Sequence, residues 1–188
     1  MDSALFIGRF QPFHNGHLSV IKDILKKHER AIIVVGSAEK NFLPSNPLTA
    51  GERFELIDES LKAEGIPCEN YCIIPVRNVN NYALWVNHIN IHVPPYSHIY
   101  TGSKIVKACY EGKYFQNHRP SNNHLNIIQV EKKLDISAST VRDKILTDDN
   151  WQEMVPDAVV KKFEEWDFPT RLKTIKDTMD ITKYNNSY

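Results

Sequence analysis

Five short apolar runs punctuate the chain, at 4–8 (ALFIG), 31–36 (AIIVVG), 71–76 (YCIIPV), 98–102 (HIYTG) and 126–130 (NIIQV). Each is rich in β-branched residues and closes on glycine or a polar loop, which predicts buried strands. Between the first two, Leu18, Ile21 and Leu25 recur at helical spacing, with Val20 and Ile24 beside them, and predict a helix over 16–27. Thr49 and Glu52 form a capping box for a second helix over 49–65, with Phe54, Ile57 and Leu61 facing inward and Gly65 stopping it. Segments 82–93 and 103–110 also read as helices. Ser137 caps another running to Leu146, and Pro156 opens one over 157–166. Strand alternating with helix dictates an α/β fold: a doubly wound parallel sheet of about five strands with flanking helices and a small helical C-terminal region. Residues 1–146 are expected to form the core and 147–173 a helical part of the same domain. The polar stretch 174–188 is expected as a tail that frays. In such sheets ligands bind at the carboxyl ends of the strands, near the point where the strand order reverses.

Composition narrows the chemistry. Among 188 residues, 23 Lys and Arg balance 23 Asp and Glu. A net charge of zero leaves no footprint for wrapping nucleic acid or an anionic membrane, so any phosphate chemistry must be local. No apolar run approaches the roughly 20 residues of a membrane span. The opening MDSALFIGRF lacks the basic start and long apolar stretch of a secretory signal, so a cytoplasmic location is expected. Cys68, Cys72 and Cys109 make an odd number, which argues against a disulfide framework and for a reducing compartment. Cys68 and Cys72 lack the two further ligands that zinc would need, and no metal site held by protein groups is expected.

The segment GRFQPFHNGH, residues 8–17, leaves the first strand and opens the first helix. Gly8 lets the backbone turn close to a ligand, and Gly16 lets a group pack against the helix start. His14 and His17 are three apart and share one face of the first turn. They stand where free N–H groups and the helix dipole favour an anion, and Arg9 adds a permanent positive charge. These are the parts of a phosphate cradle. The GxxxxGK[ST] and GxGxxG spacings are absent, which excludes the ordinary P-loop and dinucleotide fingerprints.

His14-Asn15-Gly16-His17 resembles the (T/H)xGH signature of the nucleotidyltransferase superfamily. NPLTAGER (46–53), NNYALWVNHI (80–89), VPP (93–95), DISASTVRDKIL (135–146) and the tryptophan-led stretch ending in VP (151–156) follow in order. Together they resemble the archaeal-type nicotinamide mononucleotide adenylyltransferases, over about residues 4–173.

The resemblance implies a Rossmann-like sheet and transfer of an adenylyl group from ATP to nicotinamide mononucleotide (NMN), giving NAD and pyrophosphate. It implies His17, His14, Arg9 and Arg142 as catalytic residues. ATP would lie along Gly8, Arg9, Phe10, His14 and His17, with Ile136, Ser137, Ser139 and Arg142 on its β- and γ-phosphates. The mononucleotide would meet Trp85 by stacking, with Asn78, Val79, Asn81 and Arg53 around it. Lys40 would supply the charge of an arginine that relatives carry at the Ser45 position. Mg²⁺ would arrive with ATP, held mainly by the phosphates. A homo-oligomer is also implied. Two alternatives stay open: a sister transferase acting on FMN, pantetheine phosphate or a cytidylyl acceptor, and a nucleotide sensor without turnover.

Overall fold

The computed structural model describes residues 2–113, 125–130 and 135–185. Strands β1 (Ser3–Gly8), β2 (Arg30–Gly36), β3 (Tyr71–Val76), β4 (His98–Thr101) and β5 (Asn126–Gln129) alternate with helices α1 (Asn15–Leu25), α2 (Ala50–Ala63), α3 (Tyr82–Asn90) and α4 (Lys104–Tyr110). Helices α5 (Ala138–Leu146), α6 (Asp157–Glu165) and α7 (Phe168–Asn185) complete the described chain. The strands form one parallel sheet in the order β3-β2-β1-β4-β5. The chain therefore winds outward from β1 to β3, then crosses back to place β4 on the other side of β1. The reversal falls between β1 and β4.

Successive strand residues face opposite sides, so each apolar run feeds two cores. Ala4, Phe6, Ile33 and Val35 pack with α1, α2 and the C-terminal helices, whereas Leu5, Ile32 and Val34 pack with α3 and α4. This two-sided burial is why the runs are continuous rather than alternating.

The capping box of Thr49 and Glu52 forms as the sequence predicts, and Gly65 follows α2 with φ of +69°. Ile57 and Leu61 face inward as expected, but Phe54 does not. Arg53, Leu56, Ile57, Ser60 and Leu61 are buried, and Phe54 is exposed. The stripe at i, i+3, i+4, i+7 and i+8 starts at Arg53, which takes the core position expected for its neighbour. α6 and α7 close one face of the sheet through Val159, Phe163, Phe168 and Leu172, with the Phe163 and Phe168 rings stacked at 4.0 Å. The polar stretch from residue 174 continues α7 to Asn185, and residues 186–188 lie outside the described residues.

Candidate active site

A cleft of about 750 Å³ opens at the carboxyl ends of β1, β4 and β5, at the reversal of strand order. Its walls are the loop after β1, the start of α1, Gly102 and Ser103 after β4, Gln129 and Val130 at the end of β5, and the start of α5.

The loop after β1 is built around aromatic rings. Phe10 is buried with φ of +50°, a left-handed backbone that costs a side-chain-bearing residue about 1–3 kcal/mol. Its ring is held edge-on to Phe6 at 5.7 Å and to His17 at 4.8 Å. Gly8 is required by that packing, since a Cβ there would stand 2.8 Å from the Phe10 ring.

His14 and His17 do more than project from one turn. His14 is the N-cap of α1, and its Nδ1 accepts the backbone N–H of His17 at 3.3 Å. His17 returns the bond, its Nδ1 accepting the backbone N–H of His14 at 3.3 Å. This is a capping box made from two imidazoles, with the rings stacked 3.5 Å apart. An Nδ1 that accepts carries no proton, so each neutral ring carries its proton on Nε2. The cap thereby fixes both rings as Nε2–H donors side by side. Burial among phenylalanine rings, aided by the nearby His14, holds the His17 pKa well below its ordinary 6.5, so His17 is a neutral donor at pH 7.

Gly16 makes room for the pair: a Cβ there would lie 3.0 Å from the His14 ring. Gly16→Ala should favour the helix by about 0.5–1 kcal/mol from propensity. It should nevertheless lower kcat by about tenfold to a hundredfold, because the stacked rings must shift. Steady-state kinetics beside a thermal melt checks this, and unchanged kcat would contradict it.

Arg142 reaches from α5 to donate to the carbonyl of Gln11 at 2.6 Å. Burial, and after it the charge of Arg9, depress its pKa. Two guanidiniums near enough to repel are a cost that a polyanion between them would relieve. Ser137 caps α5 by accepting the N–H of Thr140, and its hydroxyl lies 2.8 Å from that of Ser139. Ile136, Ser137, Ser139 and Arg142 thus line the cleft with Gly8, Arg9, Phe10, His14 and His17.

The expected mononucleotide residues are not in this cleft. Among the described residues, its lining includes none of Trp85, Asn78, Val79, Asn81, Lys40 or Arg53. The first five sit on α3 and on the loops after β2 and β3, at the same edge of the sheet. Those loops are tied together by Ala38 N–H to Val76 O and Asn78 N–H to Glu39. Trp85 is half-buried and meets Tyr110 edge-on at 6.0 Å. Asn81 spends its side-chain oxygen on the N–H of Ala83 to cap α3, and the Asn78 amide donates to Asn80.

Arg53, also expected beside the mononucleotide, sits differently from these five. It is fully buried, and its guanidinium donates to the carbonyls of Thr49, Arg9, Gly36, Ser37 and Ala38. Its donors are engaged by backbone carbonyls. It fastens the loop after β1 to the loop after β2. Burial lowers its pKa to about 10, which leaves it charged at neutral pH.

Sequence reasoning also missed Gln11. Its buried amide both donates to and accepts from the backbone of Leu48, at 2.8 and 2.9 Å. That bracket ties the NPLTAGER segment to the phosphate loop. The partners are 37 residues apart, so no local pattern marks the pair. Gly102, Ser103 and Gln129 were missed too, although the rule that ligands sit at strand carboxyl ends points to them.

A parallel sheet whose switch-point cleft is lined by two helix N-termini, paired imidazoles and two arginines defines a nucleotidyltransferase-type site. Residues 5–144 match the cytidylyltransferase-like family. A nicotinamide-nucleotide adenylyltransferase of Methanococcus aeolicus is 35% identical over 172 residues, covering 92% of this chain and 94% of that one. Another, from Thermoplasma acidophilum, is 35% identical over 182 residues, 96% of each chain. The chain belongs to the cytidylyltransferase-like nucleotidyltransferases, within the archaeal-type nicotinamide-nucleotide adenylyltransferases. In fold it is similar to a bifunctional NMN adenylyltransferase/ADP ribose pyrophosphatase from Francisella tularensis, with a TM-score of 0.74 at 21% identity. That match covers 98% of this chain and 55% of the Francisella chain.

Proposed function

We propose that the protein transfers the adenylyl group of ATP to NMN, giving NAD and pyrophosphate. The observation that carries this is the convergence of the α1 and α5 N-termini, with His14, His17, Arg9 and Arg142, on one cleft.

The phosphate of NMN attacks the α-phosphorus of ATP in line, a P–O bond forms, and the bond to pyrophosphate breaks. The nucleophile is already an anion, since a phosphate monoester loses its second proton near pH 6. No general base is needed, which fits a cleft whose described lining holds no carboxylate pair. The work left to the protein is to hold two anions together and to meet the charge that develops on the α-phosphate and the leaving group. His17 donates its Nε2–H to the α-phosphate oxygen as charge grows there. His14 and Arg9 hold the triphosphate, and the backbone of Gly8 and Phe10 runs beside it. Ser137, Ser139, Arg142 and the free N–H groups of α5 hold the β- and γ-phosphates, with Ile136 beside them.

Asp23 is the one carboxylate among the described residues lining the cleft. That donor set suits a hard divalent ion borne by phosphate oxygens with few protein ligands. Mg²⁺ arriving with ATP would neutralise phosphate charge. A Francisella structure similar in fold was obtained with AMP and a manganese ion.

The mononucleotide side is assigned to Trp85, Asn78, Val79, Asn81 and Lys40. They stand on α3 and on the loops at the carboxyl ends of β2 and β3. The test is a panel of acceptors with ATP, followed by appearance of NAD and pyrophosphate. NMN is expected to react. Reaction with FMN or pantetheine phosphate alone, or no turnover at all, would overturn the reading. In the same assay Trp85→Ala should weaken NMN binding by about 0.5–2 kcal/mol, the size of a cation–π contact. It should leave ATP affinity unchanged. Equal loss for both ligands would return Trp85 to the core.

A further inference from the structure

At the amino ends of the strands, three side chains that adenylyl transfer leaves unused come together. Asp2 precedes β1, His28 precedes β2, and His98 opens β4. Since β1 lies between β2 and β4, the topology makes them neighbours. Nδ1 of His28 lies 2.8 Å from one Asp2 carboxylate oxygen, and Nδ1 of His98 lies 3.5 Å from the other. The two rings are 4.3 Å apart, and one ligand atom from each of the three residues lies within 4.8 Å of the others.

We propose that Asp2, His28 and His98 bind a divalent transition-metal cation, with Zn²⁺ the best match, and that the ion clasps β1, β2 and β4 together. Zinc bonds of about 2.0–2.1 Å in a tetrahedron place neighbouring ligands about 3.3 Å apart, and the two Nδ1–carboxylate separations, 2.8 and 3.5 Å, bracket that figure. Two imidazoles with one carboxylate suit zinc and its first-row neighbours and are a poor set for Mg²⁺ or Ca²⁺.

The surroundings carry the argument further. A histidine that ligates through Nδ1 must keep its proton on Nε2 and needs an acceptor there. Nε2 of His28 faces the Tyr100 hydroxyl at 3.1 Å. Nε2 of His98 lies 3.1 Å from the Asn126 side-chain nitrogen, so the amide must turn over to present its oxygen once Nδ1 ligates. Ser97 Oγ, 2.9 Å from Asp2 and 2.8 Å from His98 Nδ1, orients both. The side chains of His28, His98 and Asp2 are 6%, 23% and 43% exposed, which gives a partly enclosed site with an open approach.

The test is titration of the full, metal-stripped chain with Zn²⁺ by calorimetry and with Co²⁺ by visible absorption. One ion per chain and the intense Co²⁺ bands of a tetrahedral site are expected. Asp2→Asn, His28→Asn and His98→Asn should each weaken binding tenfold or more. His92→Asn, which breaks the separate His88–His92 ring pair at 4.6 Å, should leave it unchanged. NAD formation with Mg²⁺ should be unaffected in Asp2→Asn and His98→Asn, so the outcome does not depend on the adenylyl-transfer reading. Absence of a saturable Co²⁺ band, or full-strength binding in both of those variants, would overturn the proposal.

Discussion

His17→Ala is expected to lower kcat by about 10² to 10³ while ATP affinity changes little. The size is that of one preorganised donor aimed at charge that develops only in the transition state. His17 is fixed for that task by the reciprocal bond with His14 and by packing against Phe10 and Phe13. Its depressed pKa makes it a hydrogen-bond donor rather than a cation, so most of its contribution should vanish from the ground state. The variant also loses half of a helix cap, at about 0.5–2 kcal/mol of stability. His17→Gln separates the two effects, because glutamine at N3 can still accept the N-cap N–H. Both variants should fold and bind ATP. A near-normal turnover in His17→Ala would remove the residue from the reaction.

Arg53→Met is expected to destabilise the chain by about 3–5 kcal/mol, because it strips a buried charge-assisted donor from carbonyls in three segments. Arg53→Lys should recover little, since an ammonium cannot present the guanidinium's spread of donors. Because Arg53 fastens the loops after β1 and β2, affinities for ATP and NMN should fall together. Chemical denaturation with calorimetry on both ligands checks this. Wild-type stability with a selective loss of NMN binding would make Arg53 a substrate contact instead.

The contrast between these two residues shows what the sequence discloses. All five strands were legible, with ends within a residue or two, because burial on both faces writes itself as continuous apolar runs. The phosphate loop was legible because glycine, histidine and arginine cluster between a strand and a helix. Arg53 was not, since an arginine after a capping box reads the same whether it points outward or inward. The histidine cap was hidden because caps are sought as Ser, Thr, Asp or Asn with Glu or Gln, although HxxH has the same spacing. Gln11–Leu48 and Asp2–His28–His98 depend on long-range contact that no local pattern encodes. The run of α7 beyond residue 174 was missed because its buried anchors, Phe168 and Leu172, lie in the first turns.

The central claim is that one triphosphate is gripped from two helix beginnings at once. A crystal structure with a non-hydrolysable ATP analogue tests it most directly. The account predicts phosphate oxygens about 3 Å from Nε2 of His14 and His17 and from the guanidinium of Arg142, with the chain turning past the base at Gly8 and Phe10. A nucleotide seated elsewhere, leaving His17 and Arg142 without phosphate contact, would contradict it.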